Sequence, residues 1–239
     1  MLATVVNVIL VLIGSAAGLL FKNFISDKLT SALTRALNLC VLGIGIGNML
    51  GSQDMLCVIV CMVVGTVIGQ AVDIDRRLER AGDLLKAKLV KGDANSRFTE
   101  GFVTAFLLYC VGAMSITGSI EAGLNHNYKI IISKGVLDGV TSVSFAATMG
   151  AGVAFSVIPM LLYQGGITLL AGWVGPYLPE AVITEMSAVG GALIVALAIN
   201  MLELGREKIK VGNMLPAMFL PIAYIPLADW LGGLAARLF

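Results

Sequence analysis

The chain has 239 residues, of which 58% are hydrophobic and only 13% charged, with a formal net charge of +1 and a mean hydropathy of +0.93. A soluble domain carries about 25% charged residues, so this composition excludes an ordinary soluble fold. A balance this close to neutral also excludes a nucleic-acid footprint, which needs clustered basic residues. The expectation is an all-α, polytopic transmembrane helix bundle whose main partner is the lipid bilayer.

Eight apolar runs follow along the chain, at 2–21, 36–51, 55–71, 101–120, 130–149, 153–174, 182–202 and 214–238. They predict about eight spanning helices, each needing roughly 17–25 apolar residues. The first positive charge, Lys22, follows run one instead of preceding it, so that run reads as a retained crossing and not a cleaved leader. Runs two and three are short for a span. A short amphipathic stretch from Ser26 to Arg35, with Leu29 and Leu33, joins runs one and two.

The long connector from Asp73 to Arg97 places Ile74, Leu78, Ala81, Leu85 and Leu89 three or four residues apart, with charges between. That spacing predicts an amphipathic helix ending near Gly92 and lying along the membrane surface. It is either a solvated connector or a lipid-sensing element. Runs five and six meet at Gly150-Ala151-Gly152, a turn with no polar loop. Run eight holds Pro216, Pro221 and Pro226, which remove backbone donors and predict a kinked helix with free carbonyls. Cys40, Cys57, Cys61 and Cys110 all fall in apolar runs. They read as small packing residues, and no metal site or cofactor is expected.

The basic residues orient the bundle. With both termini outside, 13 of the 16 Lys and Arg residues lie on the cytoplasmic side, in the connectors after runs one, three and seven. This is the bias the positive-inside rule describes. Run seven ends in Asn200-Met201-Leu202 as run two ends in Asn48-Met49-Leu50, 152 residues earlier, and the same shift lays Gly14 on Gly166. Five crossings then separate equivalent helices, so the copies are inverted. The layout predicted is a first three-helix repeat at 1–72, a cytoplasmic amphipathic connector at 73–98, a central helix pair at 99–150 and a second three-helix repeat at 151–239. Inverted 3+3 repeats of this kind are the architecture of alternating-access transporters.

Polar residues concentrate in the central pair. Gly135 to Val174 contains one charged side chain, Asp138, and a charge inside a span is costly enough to mark a pathway or a site. Lys134 stands four residues before it, on the same helix face. The rise of 1.5 Å per residue places Asp138 about 12 Å from the outer end, near mid-bilayer. Ser142 and Thr148 continue the polar character of this run. The pair either couples transport, with Lys134 as partner or solute clamp, or only fixes helix packing. Run four ends in a Gly-rich segment with Ser115, Thr117, Ser119 and Glu121. This is either a broken helix end that binds an ion through free carbonyls or an ordinary terminus with hydroxyl-to-backbone bonds. Gln164 in run six could complete such a site. Asn48 and Asn200, equivalent under the repeat, either line the pathway or bond between helices. Four glycine pairs spaced by four, Gly14/Gly18, Gly43/Gly47, Gly65/Gly69 and Gly135/Gly139, permit close helix contact within one chain or in a homo-oligomer.

An enzyme is not expected. The single histidine, His126, lies in an outer loop, and Asp229 is poorly placed to pair with Asp138 for proteolysis. The segments Tyr109–Leu124 and Lys134–Thr148, with Gly190-Gly191, Asn200-Met201-Leu202 and Asn213–Pro216, resemble the YqgA/YdfK-like family of uncharacterised bacterial inner-membrane proteins. The resemblance covers nearly the whole chain. It implies a multi-pass protein of the bacterial plasma membrane and carries no established activity. The function expected from the residues is secondary transport of a small solute or ion. A non-transporting structural or signalling membrane protein and a passive channel are the alternatives.

Overall fold

The computed structural model describes residues 1–22, 27–89 and 97–238; Ser26, Gly92 and Ser96 lie outside the described residues. Most of those described are helical, and none is in a strand. The helices are α1 (Leu2–Lys22), α2 (Asp27–Leu50), α3 (Met55–Val72), α4 (Ile74–Leu89), α5 (Phe98–Cys110), α6 (Ala113–Leu124), α7 (Lys129–Met149), α8 (Gly152–Phe155), α9 (Val157–Leu169), α10 (Ala171–Val174), α11 (Glu180–Met201) and α12 (Pro221–Leu238), with a 3₁₀ helix at Val211–Phe219 before the last. Among the described residues, six helical stretches are long and apolar enough to cross a bilayer. Two bent pairs raise the number to eight if each crosses once: α5 with α6, bent by 62°, and the 3₁₀ helix with α12, bent by 45°.

The directions of packed helices are those that eight alternating crossings require. α1 and α7 are parallel: Gly14 lies against the Gly139 carbonyl and Gly18 against that of Val143. α6 and α9 are also parallel, with Ser115 bonded to Gln164 and Gly123 against Thr168. α2 and α11 are antiparallel, with Asn38 bonded to the Met201 carbonyl at 2.7 Å and Gly191 against Met49. α3 and the 3₁₀ helix are antiparallel as well, Gly65 lying on Ala217 and Gly69 on Asn213. Glycines at these crossings let backbones meet with no side chain between, which is how spans associate where lipid offers no hydrophobic drive. Gly43 and Gly47 differ: no atom of the structure lies where their Cβ atoms would point.

Local chemistry sets the boundaries. Asp54 caps α3, its carboxylate accepting from Leu56 N and Cys57 N at 3.0 and 3.2 Å. Asp73 ends that helix in the left-handed region at φ 51°. The expected Ser26–Arg35 stretch is not a separate element, because no breaker separates Asp27 from the apolar run and α2 is continuous over both. Run four breaks earlier than the expected Ser115–Gly123 segment. The interruption is at Val111-Gly112, where Gly112 takes φ 115°, and the segment expected to be frayed is the regular helix α6. Gly118 and Gly123 stay helical because Ile131 and Thr168 pack directly on them. Run six is divided at Ser156, just before the turn containing Pro159, and again at Leu170. The kink expected of run eight is present, and its first half is 3₁₀ around Pro216. Cys57, Cys61 and Cys110 are buried packing residues as expected, whereas Cys40 faces outward from the bundle.

Candidate functional site

Helix α7 carries the only ion pair found inside a span among the described residues. Lys134 and Asp138 are 5% and 8% exposed, and the Lys134 ammonium donates to Asp138 Oδ2 one turn on. Small residues bring these charges inside: Gly135 and Gly139 sit against Asn7 and Leu10 of α1, so α7 is pressed on α1 just where the pair lies. Ser142 returns its hydroxyl to the Asp138 carbonyl at 2.5 Å. The Tyr109 ring of α5 lies 5.9 Å from the ammonium, within cation–π range.

A chain of hydrogen bonds leads from the pair across the bundle. Asn7 Nδ2 donates to Asp138 Oδ2 at 3.5 Å and to Gln164 Oε1 at 2.9 Å. Gln164 Nε2 donates to Ser115 Oγ at 3.0 Å, and Ser115 donates to the Tyr109 carbonyl at 2.9 Å. That carbonyl belongs to the last turn of α5, just before the break at Val111-Gly112. Across the break Ser187 of α11 accepts from Ala113 N at 3.2 Å. Five spans therefore meet at one buried polar cluster. Asn7, Ser115 and Gln164 are all wholly buried. The Asn7 Oδ1 and Tyr109 hydroxyl oxygens are buried without a hydrogen-bond partner.

Of the residues singled out in the sequence, Lys134, Asp138, Ser115, Ser142 and Gln164 come together here. Ser119 is buried one turn beyond Ser115, its hydroxyl unpartnered, while Thr117 is half-buried on the same helix. Asn48 lies beside the break: a Cβ on Gly112 would stand 3.8 Å from its amide nitrogen. Glu121 is elsewhere, accepting from Asn125 and Asn127 at 3.2 and 3.3 Å and so shaping the loop before α7. Asn200 clasps the connector after α11, its amide exchanging two 2.8 Å bonds with the Ile209 backbone. Thr148 bonds to its own helix and lines a cavity at the end where the basic connectors gather.

Two of the cavities at that basic end adjoin α11. One, of about 530 Å³, runs from Asp75 and Lys208 down to Leu107 and Leu197. The other, of about 700 Å³, is lined by Arg35, Asn38, Thr148 and Glu203. Arg97 borders both. Its guanidinium makes two 2.9 Å bonds to Glu100, which hold it above the ordinary arginine value. Toward the opposite end lies Glu185 of α11, 3% exposed, which accepts from Ser52 Oγ, Gln53 N and Asp54 N at 2.7, 2.7 and 3.1 Å.

Sequence reasoning missed Asn7, Tyr109 and Glu185. Asn7 had a signal: it is the only amide in run one, on one face with Thr4, Val11 and Ser15 at spacings of three and four. All four are wholly buried. Glu185 had none, since it stands near the start of its run like any interfacial acid.

The chain matches the family model described as "Protein of unknown function (DUF554)" over residues 2–225. It is 32% identical over 225 residues to the Uncharacterized membrane protein YdfK of Bacillus subtilis (strain 168), covering 92% of this chain and 94% of that protein. It is 27% identical over 220 residues to the Uncharacterized protein YqgA of Escherichia coli (strain K12), covering 90% and 92%. No solved structure matches the chain. A multi-helical chain aligned from its first span into its last is thus a membrane protein that belongs to the DUF554 family.

Proposed function

We propose that this protein is a secondary transporter of a small solute or ion, working by alternating access with Asp138 as its coupling group. The observation that carries the reading is a buried ion pair at mid-span, joined by a hydrogen-bond chain to a break in a neighbouring span. Charges in that setting are costly, and irregular backbone at membrane depth is tolerated where it lines a site or is held by protein. The reading includes two inverted repeats, 1–72 and 151–239, around the central pair. Supporting this, Gly65 packs on Ala217, the residue 152 positions on, and a contact between equivalent residues is what a two-fold axis in the membrane plane produces. The parallel pairs α1–α7 and α9–α6 would exchange under the same axis.

In this reading the protein lies in the bacterial plasma membrane, with both termini outside and the two cavities facing the cytoplasm. Cysteine labelling tests the topology: a cysteine at His126 should react from the outside and one at Ser96 only from the inside. Labelling of both from one side would overturn the orientation. For function, the purified chain in proteoliposomes is given a proton or sodium gradient, and internal pH and sodium are followed. Saturable dissipation is expected, abolished in Asp138→Asn with membrane insertion intact. Non-saturating flux would make the protein a channel. No flux under any gradient would favour a structural or signalling role, and undiminished flux in a folded Asp138→Asn protein would remove that residue from the mechanism.

A further inference from the structure

The buried cluster is rich in acceptor oxygens and poor in positive charge. Asp138 offers a carboxylate, Gln164 its Oε1, and Asn7 an Oδ1 that bonds to nothing. The only cation among them is the Lys134 ammonium, which sits on Asp138 at the end of a flexible stem. Asn7 at present turns its NH₂ toward the other two acceptors, and a half-turn of its amide would present Oδ1 to them instead. That orientation is repulsive alone and favourable only around a positive charge. Oxygen donors of this kind, one charged and the rest neutral, suit a hard cation of single charge.

We propose that the Lys134 ammonium is the tethered occupant of a monovalent-cation site built by Asp138, Asn7 and Gln164, and that a dehydrated alkali cation takes its place. This rests on the transporter reading only for its purpose; the site itself is a binding claim. Charge balance sets the stoichiometry. The pair is neutral as it stands, and an extra positive charge in a buried cluster is strongly disfavoured. Entry of one cation therefore expels one proton, from the Lys134 ammonium, leaving a neutral amine that no longer holds Asp138. The other ionisable groups near Lys134 are Asp138 on its own helix and Tyr109 and Cys110 on α5. α1 presents Asn7, and α9 presents Gln164 and, beside Cys110, Tyr163. The transported or coupling species is then an alkali cation exchanged for a proton, one for one.

The test is binding of sodium to the full-length protein in lipid nanodiscs, with choline chloride at equal ionic strength as control. Wild type should show a saturable rise in melting temperature with sodium, and should release protons into a weakly buffered medium as sodium is added. Lys134→Met empties the seat, so its half-saturating sodium concentration should fall by about tenfold or more, by loss of the competing occupant. Lys134→Met with Asp138→Asn should fold and be indifferent to sodium. A folded Lys134→Met protein that responds equally to sodium and choline, or a double variant that responds as strongly as the single one, would overturn the site. If Lys134→Met does not fold, wild type against Asp138→Asn decides: response and proton release in the first alone support the site, and their absence from both overturns it. Sodium binding without flux in proteoliposomes would keep the site and remove the transporter; flux without sodium binding would do the reverse.

Discussion

Two carboxylates are buried among the described residues, Asp138 and Glu185, and they are held in opposite ways. Glu185 accepts from one hydroxyl and two backbone N–H groups of the loop between α2 and α3. Those partners are fixed in the chain, and the acid sits at a helix N-terminus, where negative charge is favoured. Asp138 is held by a side-chain ammonium and a side-chain amide, both of which can turn away. The contrast teaches where the molecule tolerates change. A carboxylate bonded to backbone is part of the scaffold, and one bonded to movable side chains is a place where partners are exchanged.

Removing a partner sharpens that contrast most at Asp138. Lys134→Met leaves a carboxylate buried without its counter-charge, and breaking a buried pair costs about 3–5 kcal/mol. Denaturant titration in detergent should show this loss, with most of it recovered in the double variant with Asp138→Asn. No recovery would mean that the lysine stem, not the charge, stabilises the site. At Glu185 the expected loss is smaller. Glu185→Ala removes the acceptor of the Gln53 amide and the Ser52 hydroxyl, while Asp54 N keeps Ser52 Oγ; these groups are only partly buried, so the loss is about 0.5–1.5 kcal/mol, the net worth of a hydrogen bond. Hydrogen exchange should rise in the loop 51–54 and leave any sodium response unchanged. A changed sodium response would erase the distinction between scaffold and site. The smallest effect is that of Gly43→Ala, read against Gly14→Ala. Gly43→Ala adds a methyl where nothing is near and should stabilise α2 by about 0.5–1 kcal/mol through helix propensity. Gly14→Ala would drive a methyl into the Gly139 carbonyl and should destabilise by about 1–3 kcal/mol, as overpacking does. Equal melting temperatures for these two variants would break the assignment of α1–α7 as a direct backbone contact.

Much of this was legible in the sequence because length and polarity alone decide it. Runs of adequate length gave the spans, the Gly150-Ala151-Gly152 turn ended α7, and three prolines bent the last crossing. Lys134 and Asp138 were legible as a pair because a helix places i and i+4 together. The break in run four was not. Gly112 is one of several glycines in that segment, and only tertiary packing decides which leaves the helix: Gly118 and Gly123 are clamped by neighbours, whereas Gly112 is not. Asn7 was hidden for another reason. Its partners Asp138 and Gln164 are 131 and 157 residues away, beyond any periodicity. The glycine pairs show the same limit, since nothing local separates Gly14/Gly18, packed within the chain, from Gly43/Gly47, which is open.

The contact of α1 with α7 constrains how Asp138 can ever meet water. At Gly14 and Gly18 the two backbones touch directly, with only the small Ser142 and Ala146 side chains beside them. Helices joined in this way travel together. Asn7 therefore accompanies Asp138 through any rearrangement, and the seam that opens is the other one, where α1 reaches α9 through the Asn7 amide donating to Gln164 Oε1 and through the Thr4–Thr168 hydroxyl pair. Parting α9 from α1 by a few ångströms would cut those bonds and leave the carboxylate facing the gap.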